Sequence, residues 1–287
     1  MPRRARLSIP PTAAVLVAIL SVQGGAAIAK GLFPVLGAAG TAGLRIGLSA
    51  LMLLAVFRPR ITQLTREQWR AVVPYGVTLG AMNVLFYLAL ARVPLGLAVT
   101  LEFVGPLAVA VAHSRRALDL LWVALAAAGI ALIAPWNAHG VDPLGAALAL
   151  LAGACWAAYI VLGGRLARVL AGGAAVATGM VVATLTIVPF AISGGGLARL
   201  TPALLGAGAL VALLSSALPY TCEMHALRTM PSRTFSIFMS LEPAVAALCG
   251  LLFLGERLGA LQWLSVMLVI AASAGAAVTG REEPNAG

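Results

Sequence analysis

The sequence predicts an all-α membrane protein with ten transmembrane helices in two inverted five-helix repeats, and three observations carry this. Hydrophobic residues make up 61% of the 287 and charged residues only 10%, whereas a soluble domain carries about a quarter charged residues. Apolar runs long enough to cross a bilayer core, about 20 residues for about 30 Å, fill nearly the whole chain, whose mean hydropathy is +1.01. A proline-bearing segment of the first half returns in the second half with its prolines at the same spacing.

Within lipid every backbone N–H and C=O must find a partner inside the structure, which leaves helices or a closed barrel. The Ala- and Leu-rich runs lack the period-2 alternation of barrel strands, so they are read as helices. Charged, Pro and Gly clusters divide them into spans 12–29, 40–57, 72–91, 94–112, 118–134, 144–163, 174–193, 204–222, 234–254 and 260–279. The first span follows Arg3, Arg4 and Arg6 and imitates a signal peptide. Its apolar run outlasts a usual signal core, so it is expected to stay as a helix.

The net charge of +10 would suggest nucleic acid in a soluble protein. Here the basic residues fall mainly in short connections, so they report topology and no nucleic-acid partner is expected. With the N-terminus inside, fourteen Lys and Arg residues lie on the cytoplasmic side. Four, Lys30, Arg92, Arg199 and Arg257, lie outside, and Arg45 lies within span two. That asymmetry places both termini in the cytoplasm and favours an even number of spans.

The run ALARVPLGLAVTLEFVGPLAVA matches ALRTMPSRTFSIFMSLEPAVAA without a gap. Pro94 then aligns with Pro231 and Pro106 with Pro243, at one offset of 137 residues. Five spans repeated as five must enter the membrane from the opposite face, so the halves are inverted. The expected division is a tail at 1–11, repeats at 12–137 and 138–280, and a second tail at 281–287.

Inverted repeats place binding sites near the midplane where the halves meet. The deep charges are Arg45 in span two, Glu102 in span four and Glu242 in span nine, with Lys30 and Glu223 at span ends. A charge at that depth is costly, at least about 2.5–3.5 kcal/mol, and usually faces a cavity or a partner. Both glutamates stand about 12 Å from the face where their spans begin, at 1.5 Å per residue. Pro106 offers no N–H to the carbonyl of Glu102, Pro243 none to that of Met239, and Gly105 loosens the first helix further. Paired interruptions beside carboxylates are a pointer to a transport site. Burial disfavours the charged form of a carboxylate, so Glu102 and Glu242 are expected to couple proton binding to substrate release. The alternative is a static ion pair, for instance Glu102 with Arg45.

Gln23, Asn83, Tyr87, Trp156, Tyr159 and Tyr220 add polar and aromatic groups within the spans. Asn83 and Tyr87 share a helix face at four residues apart, and Trp156 and Tyr159 at three. Gly145, Ala149 and Gly153 form a small-residue stripe for close helix approach. Cys155, Cys222 and Cys249 suit core packing, and His113, His139 and His225 fall at span ends or in loops with no ligand pattern. No cofactor or metal is expected.

The runs SVQGGAAIAKGLFP, GVTLGAMNVLFYLALARVPLGLAVTLEFVGPLAVAV, LAGACWAAYIVLGGR and LSSALPYTCEMHALRTMPSRTFSIFMSLEPAVAALCGLLFLGERL resemble the threonine/homoserine exporters of the EamA-type drug/metabolite transporter superfamily. The resemblance extends from about residue 13 to 280. It implies efflux coupled to protons and a cavity lined mainly by helices one, three, four, six, eight and nine, with five and ten outside. Its LEF.GP, SLEP and ACW..Y motifs carry over to Glu102 and Pro106, Glu242 and Pro243, and Trp156 and Tyr159.

Independently, Lys30 and Arg45 balance Glu102 and Glu242, which suits a small zwitterion whose carboxylate meets Lys30 or Arg45 and whose ammonium meets a glutamate. The expected substrate-binding set is Lys30, Arg45, Asn83, Tyr87, Glu102, Trp156, Tyr159, Tyr220 and Glu242. The expected protein is a secondary active amino-acid exporter of the bacterial inner membrane, working by alternating access with proton antiport; monomer or dimer stays open. Another cargo on the same fold, such as purines or drugs, and a passive facilitator are the alternatives. A membrane enzyme is disfavoured because there is no HExxH motif and the only two aspartates, Asp119 and Asp142, lie at span ends or in loops.

Overall fold

The structure is a computed structural model that describes residues 10–112, 117–133, 142–170, 172–219, 222–223, 226, 230 and 232–279. The regular structure among the described residues is all helical, with no strand among them. In chain order the helices are α1 Pro11–Gly31, α2 Phe33–Phe57, α3 Arg66–Leu90, α4 Leu95–Glu102, α5 Val104–Ala112, α6 Ala117–Ile133, α7 Pro143–Val169, α8 Gly172–Ser193, α9 Pro202–Ala212, α10 Ser232–Met239, α11 Glu242–Leu254 and α12 Ala260–Thr279.

Among the described residues, seven helices are long and apolar enough to cross a membrane: Pro11–Gly31, Phe33–Phe57, Arg66–Leu90, Pro143–Val169, Gly172–Ser193, Thr234–Leu254 and Ala260–Thr279. Three shorter apolar helices lie at Leu95–Val109, Leu120–Leu132 and Pro202–Ser216. All ten fall on apolar runs read from the sequence. Polarity is inverted relative to a soluble protein: Leu120 and Leu252 are each 74% exposed, while Gln23, Asn83, Glu102 and Glu242 are buried. An apolar exterior of this kind is stable against hydrocarbon.

Local chemistry sets the boundaries. Thr65 and Gln68 form a reciprocal capping box that starts α3 six residues ahead of the expected span, on the charged turn Arg66–Arg70. Asp142 caps α7 by accepting from the Leu144 and Gly145 amides, and Pro143 fills the first turn, where no N–H is needed. In α2, Gly37 adopts φ 69°, ψ 163°. That conformation is open to glycine but costly for other residues, so a turn of helix precedes the span expected to begin at residue 40.

The packing forms a connected bundle. α3 lies against α7 and α8, α2 against α8, and α4 against α7 and α11. α1 packs on α9, α10 and α11, while α6 and α12 pair with each other. The small-residue stripe on α7 receives its neighbours at backbone distance. A Cβ at Gly145 would meet the Val93 side chain at 2.7 Å, and one at Gly153 would meet the Glu102 carbonyl oxygen at 2.6 Å. Cys155, Cys222 and Cys249 are free thiols, the last two buried.

Candidate functional site

Two helix interruptions build the site. α4 ends at Glu102, Phe103 turns, and α5 restarts at Val104, two residues ahead of Pro106. In the second half α10 ends at Met239, Ser240 and Leu241 turn, and α11 starts with Glu242 and Pro243. Each break falls where a proline withholds an N–H. Gly105 serves the first break in a further way, since a Cβ there would lie 1.9 Å from the Gly153 carbonyl oxygen. The broken strand of backbone is thus seated directly on α7.

Both glutamates face one cavity of about 220 Å³. Its wall is formed by Val22, Gln23 and Ala26 of α1, Arg45 and Ile46 of α2, and Leu79, Met82, Asn83, Phe86 and Tyr87 of α3. Val99 and Glu102 of α4, Trp156 of α7, Met180 of α8, Ser215 and Ser216, and Glu242 of α11 complete it. No described residue of α6 or α12 lines it. The contributions of α2 and α8 go beyond the helices that the family resemblance implied, because the long Arg45 side chain reaches inward from α2.

Arg45 donates to Asn83 Oδ1, and its guanidinium carbon stands 5.1 Å from the centre of the Tyr87 ring. Asn83 Nδ2 is anchored on the Leu79 carbonyl at 2.8 Å. Gln23 Nε2 donates to Glu242 Oε1 at 2.9 Å. Glu102 and Glu242 are each only 7% exposed. Among the described residues, Glu102 forms no ion pair with Arg45. Trp156 packs edge-on against Phe103, at the turn between α4 and α5, with centroids 5.2 Å apart.

The structure therefore gathers Arg45, Asn83, Tyr87, Glu102, Trp156 and Glu242 around one chamber, and sets two of the expected residues elsewhere. Lys30 pairs with Glu256 at 2.6 Å and donates to the Val93 carbonyl at 2.8 Å. Glu256 in turn accepts from the Leu95 amide at 2.7 Å. This cluster ties the end of α1 to the start of α4 and the end of α11, away from the cavity wall. Tyr159 accepts from the Tyr75 hydroxyl at 3.0 Å and stacks on that ring, also off the wall. Tyr220, His113, His139 and His225 lie outside the described residues.

Gln23, Ser215 and Ser216 join the wall without having been placed in the site from sequence. Gln23 stood out as a polar residue in span one. The serines lie in a π-helical turn, Leu213–Ala217, that continues α9, and such turns recur at functional sites. Their only sequence signal was a pair of adjacent hydroxyls in an apolar run.

Residues 143–278 match the EamA-like transporter family. The chain is 48% identical over 276 residues to the threonine/homoserine exporter RhtA of Salmonella typhimurium strain LT2, covering 96% of this chain and 93% of that protein. It is equally 48% identical over 275 residues to RhtA of Escherichia coli K12, covering 95% and 93%. The uncharacterized transporter YwfM of Bacillus subtilis is 26% identical over 236 residues, 79% of each chain. A protein of known crystal structure superposes with TM-score 0.63 over 96% of this chain and 99% of its own, at 18% identity, a likeness of fold alone. With near-complete coverage at that level of identity, the chain belongs to the EamA-like transporter family, beside the threonine/homoserine exporters.

Proposed function

We propose that this protein exports small zwitterionic amino acids, threonine and homoserine among them, by alternating access across the bacterial inner membrane, driven by proton antiport. The observation that carries the reading is the gathering of opposite charges around one chamber, whose lining holds Arg45 together with Glu102 and Glu242. An α-amino acid bears one carboxylate and one ammonium, and this arrangement can meet both. The 48% identity to proteins named threonine/homoserine exporter directs the choice of cargo.

In this reading the ten apolar segments form two inverted repeats, 12–137 and 138–280, with both termini cytoplasmic. Packing between counterparts supports it: α2 lies on α8, α6 on α12, and α4 on α11. These are segments two and seven, five and ten, and four and nine. The family match at 143–278 falls within the second repeat. Glu102 exchanges a proton for substrate beside the α4–α5 break, and Glu242, held by Gln23, receives the ammonium.

The test is uptake of labelled threonine and homoserine into everted vesicles with an imposed pH gradient. Accumulation that collapses with a protonophore is expected for the wild type. Glu102→Gln is expected to leave a folded protein whose residual flux ignores the gradient. Wild-type uptake indifferent to the gradient would overturn the proton coupling, and absence of uptake would overturn the cargo.

A further inference from the structure

The geometry points to Ser215 as the residue that recognises the side-chain hydroxyl of the cargo, making the cavity selective for hydroxylated over plain aliphatic amino acids. This rests on the export reading above and adds a specificity-determining residue to it.

Among the described residues, five buried side-chain atoms that can hydrogen-bond have no partner: Gln23 Oε1, Arg45 Nε, Ser215 Oγ, Glu242 Oε2 and Ser265 Oγ. Four of the five belong to residues that line the cavity, Ser265 being the exception. Buried polar atoms are normally paired, because leaving one unmet forfeits its hydration with nothing in return. Four around one chamber describe the complement of a ligand. Arg45 Nε offers a donor, which suits a carboxylate. Gln23 Oε1 and Glu242 Oε2, on residues joined by a hydrogen bond, offer acceptors, which suit an ammonium with several protons. These three satisfy the groups that every α-amino acid shares.

Ser215 is left over, and its hydroxyl both donates and accepts, as the side-chain hydroxyl of threonine or homoserine does. Its neighbour is already committed, since Ser216 Oγ pairs with Ser49 Oγ at 2.8 Å. Both serines belong to the π-helical turn Leu213–Ala217 and both line the cavity. α1 holds that turn in place. Ser21 Oγ donates to the Leu214 carbonyl at 2.6 Å, and a Cβ at Gly25 would lie 2.5 Å from Ser215 Oγ. Glycine at that position keeps the hydroxyl clear.

The experiment is competition against labelled threonine uptake in everted vesicles by threonine, homoserine and 2-aminobutyrate, which lacks the hydroxyl of both. In the wild type, threonine and homoserine should compete about tenfold better than 2-aminobutyrate, the worth of one satisfied hydrogen bond. Ser215→Ala should bring the ratio near one, mainly by weakening the hydroxylated competitors. Ser216→Ala and Ser215→Thr should leave the preference standing. Equal competition by 2-aminobutyrate in the wild type overturns the assignment even if Ser215→Ala fails to accumulate. An unchanged ratio in active Ser215→Ala, or an equal collapse in Ser216→Ala, also overturns it. A wild type that carries threonine without discrimination leaves the export reading intact, whereas one that carries neither hydroxylated amino acid removes both.

Discussion

Replacing Gly153 with alanine probes the seat on which the first helix break rests. The new Cβ would lie 2.6 Å from the Glu102 carbonyl oxygen and 3.2 Å from its carbonyl carbon and Cα. The nearest contact falls short of ordinary van der Waals distance by about 0.8 Å, and the obstructing atoms are backbone, which cannot rotate aside. α4 must therefore move off α7, carrying Glu102 with it. Overpacking of this kind costs about 1–3 kcal/mol, while alanine recovers about 1 kcal/mol of helix propensity over glycine. The net loss of stability is about 0–2 kcal/mol, so transport should suffer more than folding. Gly164 supplies the control on the same helix, because a Cβ there meets nothing within 4 Å. Thermal unfolding of the purified protein in detergent and threonine uptake in vesicles are measured for Gly153→Ala and Gly164→Ala. Gly164→Ala should match or exceed the wild type in both. Gly153→Ala should lose at least about tenfold in transport, since a misplacement of about 1 Å at a reacting group can cost far more than its energy suggests. Full transport by Gly153→Ala, with stability equal to that of Gly164→Ala, would refute the claim that this contact positions Glu102.

Lys30→Met leaves the Glu256 carboxylate with the Leu95 amide alone; the side chains of the pair keep 20% and 15% exposure, so the loss should be about 2–3 kcal/mol, below the range for fully buried pairs. Lys30→Met/Glu256→Gln should be more stable than Lys30→Met by itself, a non-additivity that a double-mutant cycle of detergent unfolding reads directly. Tyr87→Phe keeps a ring beneath the Arg45 guanidinium and should weaken threonine binding less than Tyr87→Leu, which should cost about three- to tenfold in a direct binding assay. Backbone hydrogen bonding from Gly145, with further support from Arg92 and the Leu144 amide, holds the Asp142 carboxyl below its ordinary range. A depressed value in the folded state stabilises above the unfolded value of about 4 and is lost as pH falls through the folded one. Unfolding temperatures of wild type and Asp142→Ala should therefore differ at neutral pH and converge in acid.

Much of the architecture was legible because hydropathy and proline act locally. The breaks at Phe103 and Ser240–Leu241 follow from Pro106 and Pro243, each of which withholds an N–H at a known position. Asn83 and Tyr87 both reach the cavity because four residues rotate a helix only about 40° out of register. Trp156 and Tyr159 are three apart, about 60° out of register, and that suffices to send one to the cavity and the other to Tyr75. Lys30 was read toward the chamber because its partner, Glu256, lies 226 residues away. No local pattern announces such a pair. The π-helical turn at Leu213–Ala217 packs on Ser21 and Gly25 of α1, and the place of Ser215 in the cavity lining had no signal in its own segment. Gln23 stood out only as a polar residue in an apolar helix, and its contact with Glu242 spans 219 positions.

The most direct test of a zwitterion held between opposite charges is equilibrium binding of labelled threonine to the purified protein, alone and with threonine methyl ester as competitor. Wild type should bind threonine and largely ignore the ester, which lacks the carboxylate. Arg45→Ala should lose most threonine affinity and with it the discrimination against the ester, and Glu242→Gln should weaken both ligands through the ammonium they share. If Arg45→Ala and Glu242→Gln bind threonine as tightly as the wild type, the chamber between α2 and α11 is not where the amino acid sits.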